Sequence, residues 1–270
     1  MSDAAVVLVT PYAKVQRADL AALANRAGVV RYGIGYDNID VAAARELGVQ
    51  VSIVPDASTE EVASHAFAMG LMLSRRIPHG QGAIANGEWA ARVPFDAPVL
   101  SELRVGVVGM GRIGALVARW WRDVGAHVRA YDPVTPFDSV PAAPLDELLL
   151  DSDVVTLHVP LLESTRHMIS RDVIARMRPG GVVVNVSRGG LIDEIALAEA
   201  LTSGRLAGAG LDAYEIEPLP ADHPLRTAPN AVLTPHSAWK SSSSLAALQS
   251  GAVDRARSML RGDEVIDRVA

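Results

Sequence analysis

Short valine-rich runs alternate along the chain with longer stretches in which apolar residues recur at helical spacing. Runs that are apolar at every position are typical of parallel strands covered on both faces by helices. We therefore predict an α/β fold with about ten strands. The clearest strands are predicted at residues 6–9, 29–32, 49–53, 105–109, 127–131, 154–158, 182–186, 208–211 and 231–233. The helices are predicted at residues 19–27, 42–47, 60–73, 113–124, 172–177, 194–203 and 245–260.

Two polar or proline-containing segments, residues 94–102 and 239–244, interrupt this alternation. The strands and helices between them form a self-contained array, so the segments are candidate domain joints. The sequence predicts a doubly wound parallel-sheet domain over residues 98–240, inserted into a second domain made from residues 1–97 and 241–270.

Composition narrows the class of protein. The 270 residues are 49% hydrophobic and 21% charged, which excludes a disordered chain. A net charge of −6 argues against nucleic acid as a partner. The absence of cysteine excludes disulfides and cysteine-ligated metals, and no metal site is predicted. The apolar run 66–73 is too short for a membrane span and the first residues lack a basic start, so we expect no membrane partner and a cytoplasmic location.

A glycine-rich block follows the predicted strand 105–109 and begins the next helix. Gly109 permits a tight turn, Gly111 allows the backbone to approach a pyrophosphate, and Gly114 lets the helix pack closely on the strand. This context predicts a dinucleotide site that also uses Arg112 and Ile113. The alternative is a glycine turn that binds nothing.

An acidic residue follows at the end of the next predicted strand. Asp132 lies 18 residues beyond Gly114, where a carboxylate can accept hydrogen bonds from the adenine ribose and repel a 2′-phosphate. We therefore predict NAD rather than NADP as the cofactor. A strand-end turn before Pro133 is the structural alternative for this aspartate.

Three ionisable residues, Arg188, Glu217 and His236, each follow a predicted strand in the second half of the chain. An imidazole can supply the proton that a carbonyl oxygen needs when hydride attacks its carbon. A carboxylate on the far ring nitrogen favours the imidazolium, and a guanidinium can grip a substrate carboxylate. Each residue taken singly is more often structural, but together they favour a catalytic role.

These motifs resemble those of the NAD-dependent D-isomer-specific 2-hydroxyacid dehydrogenases. The similarity extends over nearly the whole chain, through residues 33–40, 54–56, 109–114, 185–193, 210–218 and 234–236. The resemblance implies a Rossmann NAD domain inserted into a flavodoxin-like substrate domain. It also implies hydride transfer between NAD(H) and a small 2-keto or 2-hydroxy acid, with Arg188, Glu217 and His236 as catalytic residues.

The resemblance assigns further residues to each ligand. Substrate binding is expected from Trp239 and from the glycine-rich loop with its accessible backbone N–H groups, which contains Arg31, Tyr32, Gly33 and Ile34. Cofactor binding is expected from His158, Pro160, Ser187 and Asp212. His158 could equally be a packing residue, and Asp212 could equally cap a turn.

The sequence departs from the family pattern at its start. Only five residues precede the run 6–9, so about two strands expected from the resemblance are missing and the substrate domain is shortened. An apolar edge strand invites association. We expect this edge to be covered by another chain or by a rearranged element such as the C-terminal segment, and we expect a homodimer.

Trp239 is a second departure, because many relatives have a small residue three positions after the histidine and an indole there changes the pocket. Together with residues 36–40, it is similar to the branch of the family that contains the C-terminal-binding-protein corepressors. A catalytically weak NAD(H)-sensing interaction module is therefore the alternative function. Retention of Arg188, Glu217 and His236 favours the enzyme. The sequence leaves open which 2-hydroxy acid is the substrate.

Overall fold

The computed structural model describes residues 5–10, 12–23, 28–90 and 97–270. Contacts between residues divide the chain into two compact units, Met1–Glu61 with Trp239–Ala270, and Val62–Ala238. One unit is discontinuous in sequence. The division falls at residues 61/62 and 238/239, however, and not at the predicted 97/98 and 240/241. The first predicted joint, residues 94–102, lies partly outside the described residues.

The smaller unit contains a parallel sheet in the order β1-β2-β3, formed by β1 (Val6–Val9), β2 (Gly28–Arg31) and β3 (Gln50–Ile53). Its helices are α1 (Arg17–Ala21), α2 (Val41–Glu46) and the long α9 (Ser242–Arg261), which packs against β1 and β2. Ser241 caps α9, since its hydroxyl accepts a hydrogen bond from the Ser244 N–H, and Gly262 ends the helix in a left-handed conformation.

The C-terminal segment pairs with β3, at the opposite edge of this sheet from β1. The Val51 N–H donates to the Ala270 carbonyl and the Ile53 N–H donates to the Asp267 carbonyl, at 3.1 Å each. In return, the Val269 N–H donates to the Val51 carbonyl at 2.8 Å. After α9 the chain reverses at Gly262 and runs antiparallel beside β3.

The expectation that the C-terminal segment covers β1 is therefore wrong. The segment completes the hydrogen bonding of β3 instead, because the chain reaches that edge after it turns at Gly262. Among the described residues, β1 pairs only with β2, and Leu8 on β1 is exposed.

The larger unit contains a six-stranded parallel sheet in the order β5-β4-β6-β7-β8-β9. Its strands are β4 (Arg104–Val108), β5 (His127–Tyr131), β6 (Val154–Leu157), β7 (Gly181–Asn185), β8 (Leu206–Leu211) and β9 (Ala231–Leu233). The chain winds outward from β4 to β5 and then returns past β4 to β6. The winding direction therefore reverses between β4 and β6, and ligands of doubly wound sheets bind at the carboxyl ends of the strands at such a point.

The helices assigned to this region are α3 (Thr59–Ser74), α4 (Ile77–Ala85), α5 (Arg112–Asp123), α6 (Leu145–Asp151), α7 (Arg171–Arg176) and α8 (Glu194–Thr202). The position of α3 explains the shifted boundary. Its Phe67 ring lies 4.9 Å from the Trp121 ring on α5, and a Cβ at Gly70 would lie 2.8 Å from Trp121. Most of α3 thus shares the core of the larger unit.

All nine predicted strands overlap β1–β9, which confirms the predicted α/β class with a doubly wound sheet. The sequence analysis missed α4 and α6, and the predicted helix 19–27 lies partly outside the described residues. No helix in the described part of the chain has the length and apolar character that a membrane crossing requires. The described residues also contain no group of three or more metal-ligating side chains.

Candidate active site

The glycine loop follows β4, and two of its glycines occupy positions where a side chain would clash with the backbone. Gly109 has a φ of 94°, and a Cβ there would lie 2.4 Å from the carbonyl oxygen of His158. A Cβ at Gly114 would lie 1.9 Å from the carbonyl oxygen of Gly109. Only glycine fits either position, because the obstructing atoms belong to the backbone.

Gly111 differs from these two glycines. A Cβ there would meet no atom within 4 Å, and Gly111 is the N-cap of α5 without a side-chain cap. The first N–H groups of a helix lack intrahelical acceptors and attract anions. The open space therefore fits a pyrophosphate. Arg112 is exposed at the start of α5, whereas Ile113 packs against the core.

Asp132 follows β5 and hydrogen-bonds the backbone of the glycine loop. One carboxylate oxygen accepts the Met110 N–H at 2.8 Å, and the other accepts the N–H groups of Val134 and Thr135 at 2.8 Å each. Burial tends to raise the pKa of Asp132, but these hydrogen bonds outweigh it and lower that pKa. The Thr135 side chain also hydrogen-bonds this carboxylate, so Asp132 orders the loop at this edge of the sheet.

His158 follows β6 and lies behind the glycine loop. Its Nε2 lies 2.9 Å from Thr156 Oγ1, and burial lowers the pKa of His158 to about 3, so the ring is neutral. Its Nδ1 is buried and has no hydrogen-bond partner among the described residues. Nearby, Ser187 Oγ donates to the Leu157 carbonyl at 2.8 Å, and the exposed Pro160 accepts a hydrogen bond from Thr165.

His236 and Glu217 form a close pair. His236 Nδ1 lies 2.9 and 2.8 Å from the two carboxylate oxygens of Glu217, and the side chains are 23% and 26% exposed. The Tyr214 N–H also donates to Glu217, at 3.0 Å. Because Nδ1 faces the carboxylate, Nε2 is the nitrogen that would exchange a proton with a substrate.

The Arg188 guanidinium lies near this pair. Burial tends to raise the pKa of Glu217, but hydrogen bonds from His236 and Tyr214 outweigh it. Electrostatic attraction to the side chains of His236 and Arg188 lowers the pKa of Glu217 further. Arg188 follows β7, and its backbone carbonyl accepts a hydrogen bond from the buried Asn185 side chain at 2.8 Å. The larger unit therefore brings all three predicted catalytic residues together.

Asp212 fixes the loop that contains His236. It is 1% exposed and accepts hydrogen bonds from Thr234 Oγ1 at 2.5 Å and from the N–H groups of Ser237 and Ala238 at 2.8 Å each. These contacts hold the loop of residues 234–238, which contains His236. The predicted contact of Asp212 with the cofactor stays a prediction.

Sequence analysis missed two features of this site. A Cβ at Gly189 would lie 1.9 Å from the backbone carbon of Tyr214, so the loop of Arg188 packs directly on the loop of Glu217. His65 Nε2 lies 3.0 Å from Thr234 Oγ1 and supports the His236 loop. Both contacts join distant segments, and no local pattern predicts them.

The predicted substrate ligands Arg31, Tyr32, Gly33, Ile34 and Trp239 belong to the smaller unit. Arg31 is buried at the end of β2, Ile34 is exposed, and Gly33 has a φ of 122°. Tyr32 and Trp239 are partly buried against one small apolar cluster of this unit. Their roles toward a substrate stay predictions.

The larger unit thus has a glycine loop at the switch point of a parallel sheet, with a histidine–carboxylate pair and an arginine on neighbouring loops. This arrangement is typical of dinucleotide-dependent dehydrogenases. Residues 67–238 match the family described as D-isomer specific 2-hydroxyacid dehydrogenase, NAD binding domain.

Individual relatives agree with this match. The chain is 41% identical over 220 residues to a glyoxylate reductase of Korarchaeum cryptofilum, covering 78% of this chain and 66% of that protein. It is 41% identical over 238 residues to a hydroxypyruvate reductase of Thermotoga maritima, and the match covers 86% of this chain and 76% of that protein. A D-lactate dehydrogenase structure from Aquifex aeolicus, complexed with NAD and lactic acid, matches with a TM-score of 0.89 at 31% identity. The match covers 97% of this chain and 84% of that chain.

The chain belongs to the D-isomer specific 2-hydroxyacid dehydrogenase family, and the matched domain confirms NAD as the predicted cofactor. The chain spans 66% and 51% of the length of the first two curated relatives it matches.

Proposed function

We propose that the protein is an NAD(H)-dependent oxidoreductase that interconverts a small 2-keto acid and the D-2-hydroxy acid. The observation that supports this most strongly is the Glu217–His236 pair, with distances of 2.8 and 2.9 Å, beside the charge of Arg188. Family membership supports the same reaction class.

The side chains divide the chemistry between them. NAD(H), when bound, supplies or accepts the hydride. His236 Nε2 gives a proton to the carbonyl oxygen during reduction and takes it back during oxidation. Glu217 holds the opposite ring nitrogen and stabilises the imidazolium. The Arg188 guanidinium binds the substrate carboxylate through paired donors.

The experiment is a panel of 2-keto acids assayed with NADH, including glyoxylate, hydroxypyruvate and pyruvate. Turnover of at least one acid supports the proposal. Hydroxypyruvate or pyruvate should give the D-2-hydroxy product, whereas the glycolate formed from glyoxylate is achiral and reports turnover only. Tight NADH binding without turnover across the panel would instead favour an NAD(H)-sensing interaction module.

We also propose that Asp132 makes the protein prefer NAD over NADP. Asp132→Asn should lower the ratio of kcat/KM with NADH to that with NADPH, because the amide no longer repels a 2′-phosphate. Asp138→Asn, an exposed change in the following loop, is the control. An unaltered ratio in Asp132→Asn would show that this carboxylate does not select the cofactor.

We further propose a homodimer. Ile77, Ile84 and Trp89 are exposed on and just after α4, and Trp89 is 76% exposed. Exposed tryptophan and isoleucine are typical of contact surfaces. Sedimentation velocity should give a dimer that Trp89→Glu weakens, whereas a wild-type monomer at all concentrations would contradict the proposal.

A further inference from the structure

A buried carboxylate lies outside the catalytic pair, at the first residue of α8. Glu194 is 5% exposed, and glutamate is rarely so buried without partners. One of its oxygens accepts the Glu215 N–H at 2.8 Å, and the other lies 3.3 Å from His223 Nε2. Burial raises the pKa of Glu194, and the charges of Glu215 and Glu217 add to this rise.

The orientation of His223 follows from its other ring nitrogen. The Leu225 N–H donates to His223 Nδ1 at 3.3 Å, so Nδ1 is an acceptor. Burial lowers the pKa of His223, which keeps the ring neutral near pH 7 with its proton on Nε2. Glu194 therefore accepts hydrogen bonds from two donors.

The segment 214–217 connects Glu194 to the catalytic pair. Glu194 holds the N–H of Glu215, while the preceding N–H, that of Tyr214, donates to Glu217. The Glu215 side chain lies 3.3 Å from Arg166 and 3.2 Å from His167. The Glu215 amide and the Glu217 carboxylate therefore lie two residues apart on one short segment that is hydrogen-bonded at both positions.

We propose that Glu194 is a positioning residue. By accepting the Glu215 N–H, it keeps the Glu217 carboxylate within hydrogen-bond distance of His236 Nδ1. The proposal rests on the proposed function for its kinetic consequence, but the hydrogen bond that it concerns can be observed without turnover.

Glu194→Gln tests the proposal because the amide replaces one of the two acceptor oxygens with an NH2 group, which would face one of the two donors. Glu199→Gln, an exposed change on α8, is the control. We expect kcat to fall about tenfold in Glu194→Gln, with the KM for the keto acid and the Kd for NADH unchanged.

Proton NMR gives a readout independent of activity. The downfield Nδ1–H signal of His236, assigned by its absence in His236→Gln, should broaden in Glu194→Gln and persist in Glu199→Gln. An unchanged signal in a folded Glu194→Gln protein would overturn the proposal, even if its stability fell. If that variant does not fold, His223→Ala decides: faster exchange of the signal supports the proposal and an unchanged signal overturns it. A wild-type protein without turnover would overturn the proposed function alone.

Discussion

The glycine loop and the catalytic loops lie at the carboxyl edge of one sheet but are built in opposite ways. Gly109 and Gly114 leave no room for a side chain, since backbone atoms fill the space where a Cβ would lie. The catalytic loops depend on carboxylates, because Asp212 and Glu217 accept backbone N–H groups as well as side-chain donors. The first region is therefore sensitive to added atoms and the second to lost acceptors.

The largest effect should come from the catalytic side. His236→Gln should lower kcat by roughly 10³-fold, because the variant lacks the group that exchanges the proton. Steady-state kinetics measure kcat, and a separate NADH titration measures the Kd for NADH, which should stay unchanged. His127→Gln, at the exposed start of β5, is the control. Comparable turnover in His236→Gln would remove the assigned role.

The glycine loop should respond by losing cofactor affinity. Gly114→Ala should weaken NADH binding about 100-fold and lower the melting temperature, because its Cβ meets the Gly109 backbone. Gly111→Ala should weaken binding about tenfold without changing the melting temperature, since its Cβ meets open space. Equal loss of melting temperature in the two variants would show that the backbone around Gly114 has room for a side chain.

A third effect concerns the dependence of folding stability on pH, and it is confined to acidic conditions. The pKa of His158 is lowered to about 3 from 6.5, so between these values the unfolded state binds a proton that the folded state does not. Stability should therefore fall as the pH drops through this window, by at most about 1.4 kcal/mol per pH unit from this group. Urea denaturation of His158→Asn should show a shallower dependence. An identical dependence in the two proteins would contradict the account.

Local patterns predicted the strands and the glycine loop because strand runs and glycine spacing are properties of neighbouring residues. The pairing of His236 with Glu217 came from a family resemblance together with residue chemistry. Local sequence patterns do not predict contacts between distant segments, such as Glu194 with His223 or the C-terminal segment with β3. The boundary between the two units differs from the predicted one for the same reason. It depends on the packing of α3 against Trp121, which is distant in sequence.

The most direct test of the central claim is a crystal structure of the protein with NADH and oxamate, an unreactive analogue of a 2-keto acid. We expect His236 Nε2 and the Arg188 guanidinium both to lie within hydrogen-bond distance of oxamate beside the nicotinamide ring. Oxamate bound away from these two side chains, or an imidazole remote from the nicotinamide, would contradict this expectation.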